Sequence, residues 1–423
     1  MTTMTDPHHQ GGFKLSMLIY DSRYRSMTIQ IVALIGFLTL IGWLISNTAQ
    51  NLSTLGKEPS FGFMTEAAGY DISQRLLEYT NQDTHLRAAL IGLLNTLLVA
   101  VMGCIAATVL GVAIGVARLS KNWIISRLMA VYVESFRNVP VLLWIIFAMA
   151  IIIETLPQPK EFRGDNATAS MILNDSVAIT GRGFYVPEPL FSNSLGNVHL
   201  LGNSSLRFDV SLDLIVLAVV FIGSLLISRM IGKRANATQE KTGARPTVWH
   251  IRLAVVVLPT LALLFALGFH LGYPELKGFN FAGGIHMRSS LIALWGALSL
   301  YTAAFIAEIV RAGILAISKG QTEAASALGL HPRRTMSLVI LPQALRVIIP
   351  PLISNYLNLT KNSSLAIAVG YMDITGTLGG ITLNQTGREL ETLLLLMLIY
   401  LIISLSISAV MNWYNNSVKL KER

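Results

Sequence analysis

The sequence predicts an all-α integral membrane protein of about eight transmembrane helices, on three observations. Its 423 residues are 53% hydrophobic and only 13% charged, about half the charge density of a soluble domain. The apolar residues gather in long runs. The basic residues gather on alternate connections between those runs. Length alone would suggest two or three soluble domains, but too few charges remain to solvate their surfaces. A single cysteine, Cys104, excludes a disulfide framework and a cysteine-based zinc site.

A helix needs ~20 mostly apolar residues to cross ~30 Å of hydrocarbon. Residues 27–51 form the first such run. It is longer than the apolar core of a signal peptide and no small-x-small cleavage site follows, so it reads as a span. Residues 88–117 form the second. Residues 138–153 and 214–228 are shorter, and their neighbours Arg137, Glu154, Asp213 and Arg229 reach the headgroups from the helix ends. Residues 253–274 and 392–418 are long enough by themselves, and 289–307 is close behind, bounded by Arg288 and Glu308. The remaining run begins near Val347, contains Pro350 and Pro351, is interrupted by Lys361 and resumes over 362–372. It reads as a span with a broken outer end, the alternative being a re-entrant segment.

Orientation follows from Lys and Arg. With the N-terminus inside and eight spans, 21 of the 32 Lys and Arg fall on the cytoplasmic side, although the outer segments are longer. Both termini are therefore expected in the cytoplasm. The net charge of +9 then fixes topology and is not a nucleic-acid footprint. Of the long outer segments, 47–87 carries Ile72, Leu76 and Leu77 at helical spacing. The other, 156–209, mixes four prolines with many Asn, Gly and Ser and is expected to form a small cap on the outer face.

Chemistry is nearly absent. The chain has no GxxxxGK[ST] phosphate loop, no HExxH helix and no GxSxG elbow, which argues against an enzyme. The most patterned stretch runs over 301–365. Glu308 and Arg311 are three apart on one helix face, and a charge in the bilayer costs enough that Glu308 needs a reason: a local pair or a polar contact on a pathway. Ser318 with Gln321 fits a capping box, with Thr322 as a competing cap. Glu323 complements the helix dipole, and Ala324, Ala325 and Ala327 leave a thin helix surface. Gly329 suits the left-handed position that ends the helix. Pro332 suits the first turn of a second helix, expected to end before Pro342. Such a helix pair is poor for ligand chemistry and good for docking a rigid partner.

Here the sequence resembles a known family. Glu323-Ala324-Ala325, Gly329 and Leu341-Pro342 stand at the spacing of the EAA loop of ABC-importer permeases, with Val339 where Ile is usual. Arg137-Asn138-Val139-Pro140-Val141-Leu142 is similar to the R-G-T-P-L-L-like motif of the polar amino-acid permeases of the histidine, glutamate and glutamine type. The runs 307–325, 342–351 and 361–365 follow the same family. The long form, with its outer insert, resembles the Q-type permeases of general L-amino-acid importers.

The resemblance implies a five-helix core with one extra helix at the N-terminus and two inserted. It divides the chain into 1–86 (N-terminal segment, extra span, outer loop), 87–155 (first part of the core), 156–285 (outer loop and two inserted spans) and 286–423 (second part of the core, with the coupling loop at 318–342). It implies a bacterial inner-membrane permease that imports L-amino acids by alternating access. The partners implied are a separate ATP-binding subunit, a second permease forming a heterodimer, and a periplasmic amino-acid-binding protein; ATP and Mg lie on the ATPase and no cofactor on this chain. Coupling falls to Glu323, Ala324, Ala325, Gly329, Leu341 and Pro342. For the substrate path the core spans carry the polar residues Asn95, Thr96, Ser299, Thr302, Glu308, Ser354, Asn355, Asn358 and Thr360, of which Glu308, Ser354, Asn355 and Asn358 are the path candidates; the alternative for each is a helix–helix hydrogen bond. A secondary transporter or a channel is the rival. The nearly charge-free spans and the lack of a repeat between halves speak against the first.

Overall fold

The computed structural model describes residues 17–20, 22–54, 56, 59–164, 167–202, 205–244 and 246–418. The basic residues Lys14, Lys57, Arg245, Lys419, Lys421 and Arg423 counted above lie outside the described residues, as do residues 1–16 of the first expected domain. The chain divides into two units at Phe61/Gly62. The described residues of the first hold a single helical turn (Met17–Tyr20) and the long helix α1 (Ser22–Thr54), whose described side chains are nearly all exposed, Phe37 and Trp43 among them. An apolar helix so exposed needs lipid around it. Among the described residues, eight helical stretches are long and apolar enough to cross a membrane.

The second unit is built around two helices, α2 (His85–Ala117) and α7 (Ser289–Leu315). Thr84 caps α2 by accepting from the Arg87 N–H at 3.2 Å. Small residues let the two axes approach. A β-carbon at Gly111 would stand 2.6 Å from the Ile306 β-carbon, and one at Gly115 would stand 2.7 Å from the Ala307 carbonyl. The main apolar core lies here, with Val99, Ala107, Leu294, Leu298, Ile306 and Val310 buried.

Between them come α3 (Trp123–Asn138) and α4 (Val141–Thr155). The run 138–153 is thus α4, starting after a break at Val139–Pro140. The amphipathic α3 before it is a helix that apolar-run counting passes over. It packs Val133 against Ala304 and Ala307, and the Tyr132 hydroxyl donates to the Leu300 carbonyl at 2.6 Å. The insert supplies α5 (Leu212–Thr242) and α6 (Trp249–Ala266), which pack against each other. The expected span at 253–274 is corrected: α6 ends at Ala266, where the Gly268 turn (φ +64°) leads into a strand.

The segments expected on the outer face form a β-cap, a more ordered version of the expected capping loop. Strands β1 (Ala178–Thr180), β2 (Gly183–Val186) and, much later, β9 (Ile285–Arg288) make an antiparallel sheet. Three two-stranded ribbons surround it: β3 (Glu188–Phe191) with β6 (Phe269–Gly272), β4 (Asn197–Leu200) with β5 (Phe208–Ser211), and β7 (Glu275–Lys277) with β8 (Asn280–Ala282). β2 and β3 on one side of α5–α6 pair with β9 and β6 on the other, so the insert is sewn shut at its base. Arg87 ties the cap to α2. Its side chain is fully buried and donates to the Arg207 carbonyl and, at 2.7 Å, to that of Glu78, with the Asp209 carboxylate 3.7 Å away. The helical reading of 72–77 is corrected as well. Ile72 is buried, but in an irregular segment tied down by the Tyr79 hydroxyl on the Tyr70 carbonyl.

Past α7 come α8 (Lys319–Ala327), α9 (Pro332–Thr335), α10 (Leu341–Asn362) and α11 (Glu389–Val418). The expected stop before Pro342 does not occur. A widened turn over Met336–Ile340, closed by the Leu341 N–H on the Met336 carbonyl, joins α9 to α10 as one rod. Pro342 has no N–H to give and its ring crowds the carbonyl four residues back; the wider turn makes room for it.

The broken outer end of this span is as expected. A tight turn (Ser363–Val369) ends at Gly370 (φ +68°). The chain then re-enters through Thr375–Thr382. Free backbone groups at this depth must be satisfied from inside the protein. The Asn95 amide donates to the Met372 carbonyl at 2.8 Å, Thr96 accepts from the Ile374 N–H at 3.0 Å, and Asp373 accepts from the Gly376 N–H at 2.9 Å and the Tyr400 hydroxyl at 3.2 Å.

Gly111→Val is expected to destabilise the protein by about 1–3 kcal/mol through overpacking. Gly296→Ala on α7, where a β-carbon meets open space, should leave it unchanged or slightly more stable; thermal unfolding in detergent compares the two. Hydrogen bonding to His199, with Arg207 and Arg87 nearby, holds the Asp209 carboxyl below its ordinary value of 3.8. A depressed carboxylate contributes its full stability above the ordinary value and loses it as the pH falls through the depressed one. Hydrogen exchange of β4–β5, corrected for intrinsic rate, should therefore rise as the pH falls below 3.8.

Candidate functional site

The loop after α7 presents α8. Ser318 sits at its N-cap but its hydroxyl makes no capping bond, so the capping box is not formed. Gln321 instead accepts from the Gln343 amide at 3.2 Å, which ties α8 to the start of α10. Thr322 lies within the helix, where its carbonyl accepts from the Ser326 hydroxyl. The C-terminus forms as the sequence predicts. Gly329 has φ +71°. The Leu330 N–H reaches the Ala325 carbonyl at 3.1 Å and the Gly329 N–H reaches that of Ser326 at 2.9 Å. This is the paired closure of a glycine-terminated helix. His331 caps the next turn and Pro332 opens α9.

What α8 buries and what it offers are clearly divided. Ala325 is its one buried residue. Glu323, Ala324, Ala327 and Gly329 are exposed, and Leu328 is 81% exposed. Of the two later motif residues, Leu341 is exposed and Pro342 half-buried at the widened turn. Leu341 and Pro342 therefore shape the rod behind α8, and Glu323, Ala324 and Gly329 form its tip.

About two turns above the loop, Glu308 answers the question the sequence raised. Its carboxylate accepts from Arg311 at 2.6 Å and from Arg118, which closes α2. The i,i+3 pair was legible. Arg118 was not read as its partner, although it is the first charge after the run 88–117 and so had to lie at the same membrane level. The three charges form a clamp between α2 and α7.

The remaining path candidates lie on α10. Ser354 and Asn358 are exposed, and they share one helix face with exposed Val347, Pro350, Pro351 and Lys361. Asn355 is half-buried and turns its amide onto the Pro351 carbonyl at 3.0 Å. Pro350 and Pro351 cannot donate to the carbonyls of Arg346 and Val347, which adds unsatisfied acceptors near this face. A face with a hydroxyl, an amide, a lysine and free carbonyls is unsuited to lipid. Glu308 belongs to the clamp, not to this face. Among the described residues no group of His, Cys, Asp and Glu could hold a metal ion.

Residues 245–420 match the family model described as binding-protein-dependent transport system inner membrane component. The chain is 59% identical, over the whole length of both proteins, to the glutamate/glutamine/aspartate/asparagine transport system permease protein BztB of Rhodobacter capsulatus. It is 42% identical, over 99% of this chain and 98% of the relative, to the general L-amino acid transport system permease protein AapQ of Rhizobium johnstonii. A solved chain from the crystal structure of an amino acid ABC transporter with histidines is similar at 17% identity and a TM-score of 0.42, covering 79% of this chain and 95% of that one.

Replacing Glu308 by Gln leaves two guanidinium groups facing each other. The variant should lose about 1.5–3 kcal/mol of stability. Adding Arg118→Gln should cost less than the two single changes summed; a double-mutant cycle in detergent measures that coupling.

Proposed function

The chain belongs to the inner-membrane components of binding-protein-dependent transport systems, as a permease subunit of the ABC importers, and from that premise we propose how its parts divide the work. In this family the ATPase is a separate subunit and a substrate-binding protein is a partner. The proposed cargo is an L-amino acid, in keeping with the names of the full-length relatives. ATP and Mg are assigned to the ATPase. The second permease is proposed to be a related, non-identical chain. Both termini are assigned to the cytoplasm, on the strength of the Lys and Arg bias.

The observation that carries the coupling assignment is α8 itself: a thin helix that buries only Ala325 and exposes an acidic, alanine-faced tip closed by Gly329. Such a tip can enter a groove on the ATPase, with Glu323, Ala324 and Gly329 in contact. Displacement of α8 then passes through the Gln321–Gln343 contact and the widened turn into α10. The α10 face bearing Ser354 and Asn358 is assigned to the path or to the seam with the second permease. The inserted helices α5 and α6 and the β-cap stand outside the five-helix core, as the domain division proposes.

Gly329→Val forces a β-branched residue into the left-handed region. A β-carbon there meets nothing within 4 Å, so the fold should survive. Purified transporter carrying the change is expected to assemble at wild-type levels but to lose at least tenfold of its binding-protein-stimulated ATPase and its amino-acid uptake. Normal coupled uptake would remove the assignment.

A further inference from the structure

Two sets of charges on the core helices are treated differently. Glu308 is shared by Arg118 and Arg311. Glu134 and Arg137, near the end of α3, are different. Both are exposed, and among the described residues neither is in an ion pair. The Arg137 guanidinium lies over the Phe305 ring, 5.5 Å from its centre. Phe305 stands about ten residues, or ~15 Å of helix axis, from the inner end of α7 at Leu315. The guanidinium is therefore at membrane depth, which corrects the expectation that Arg137 reaches the headgroups, and an unpaired charge there cannot face lipid and marks a site.

The surroundings are built as a shelf. The chain breaks at Val139–Pro140 immediately after α3, and the Asn138 amide, bonded to the Glu134 carbonyl at 2.8 Å, closes the helix end. Across the break Trp144 stacks on Phe136 with ring centres 4.1 Å apart, and the Tyr132 ring lies tilted 4.7 Å from that of Phe136. The buried Trp144 Nε1 has no hydrogen-bond partner. Glu134 and Arg137 are three residues apart, so they share one helix face, yet they do not bond to each other.

We propose that Glu134 and Arg137, at the break between α3 and α4, hold the ammonium and the carboxylate of a zwitterionic α-amino acid in the membrane path. One anion and one cation on one helix face, each lacking a counter-charge, match a ligand that carries one of each on a single carbon. A guanidinium fixed over an aromatic ring is suited to a bidentate carboxylate bond. This recognises the common backbone of amino acids and leaves the side chain unread, which suits a permease whose relatives are named for several amino acids. The inference rests on the amino-acid import reading above.

The test uses the whole transporter in nanodiscs, with labelled glutamine as the probe. Its α-amide, which has lost the carboxylate charge, and its α-hydroxy analogue, which has lost the ammonium, serve as controls. Arg137→Gln should weaken glutamine binding tenfold or more, leave binding of the α-amide at the wild-type level, and be partly rescued by Arg137→Lys. Glu134→Gln should show the reverse pattern, weakening glutamine but not the α-hydroxy analogue. Equal losses for glutamine and both analogues would overturn the inference, and so would loss of subunit assembly, which would place Arg137 in an ion pair with the second permease. If the wild-type transporter takes up no amino acid of a broad panel, the import reading fails and takes this one with it. Uptake by wild type with no change in Arg137→Gln overturns the site alone.

Discussion

The structure depends on one constraint: inside a bilayer no water is available to satisfy a broken helix or an unpaired charge. Where α10 gives out at Ser363, the protein must supply every partner itself. It does so from α2, whose Asn95 and Thr96 bond the backbone of residues 372–374. That bonding requires α2 to lie very close to the re-entrant segment. Gly92 permits it, since a β-carbon there would stand 2.1 Å from the Thr377 hydroxyl. The same helix closes on α7 through Gly111 and Gly115 farther inward. The small residues of α2 thus decide where both the broken segment and the central helix of the core can sit.

The parts of this arrangement visible in the sequence are those governed by local rules. Run length placed the spans, Gly329 and Pro332 placed the turn after α8, and Pro350–Pro351 with Lys361 marked the broken span. Less legible were features that depend on what a residue meets across the fold. Ser318 makes no capping bond, and Gln321 turns its side chain to Gln343 instead of back to the N-cap. Pro342 is carried through because a turn can widen. The strands of the cap pair across the intervening helices α5 and α6, so neither half looks like a sheet alone. The helix α3 was passed over because it is amphipathic: its polar residues end the apolar run that would have announced it. The four-residue spacing of Gly111 and Gly115 was present in the sequence as a packing signal, but a count of apolar residues does not register glycine spacing.

The charges sort the same way. Arg118, Glu308 and Arg311 form a clamp that neutralises itself. Arg87 is buried among carbonyls beside Asp209, and so fastens the cap to the outer end of α2. These are charges spent on holding helices in place. Glu134 and Arg137 touch only Asn138 and the Phe305 ring and enter no ion pair among the described residues, and the cost of keeping them at that depth is unexplained by the fold of this chain alone. That asymmetry, and not their residue types, is what separates a site from a scaffold here.

The last step concerns how movement at α8 would reach such a site. α8 is bonded to α10 through Gln321 and Gln343, and α9, the widened turn and α10 form one continuous rod. A rod transmits displacement along its axis but bends where its bonding is weakest, and that is the wide turn at Met336–Ile340 together with the paired prolines at 350–351. The clamp at Glu308 fixes α7 to α2, so in the proposed coupling α7 and α2 are the frame and α10 the moving part. Displacement of α8 is then expected to change the distance between the α10 face of Ser354 and Asn358 and the α7 face that carries Phe305. Arg137 sits over that ring. An engine acting on α8 would in this way alter the surroundings of Arg137, without any nucleotide chemistry on this chain.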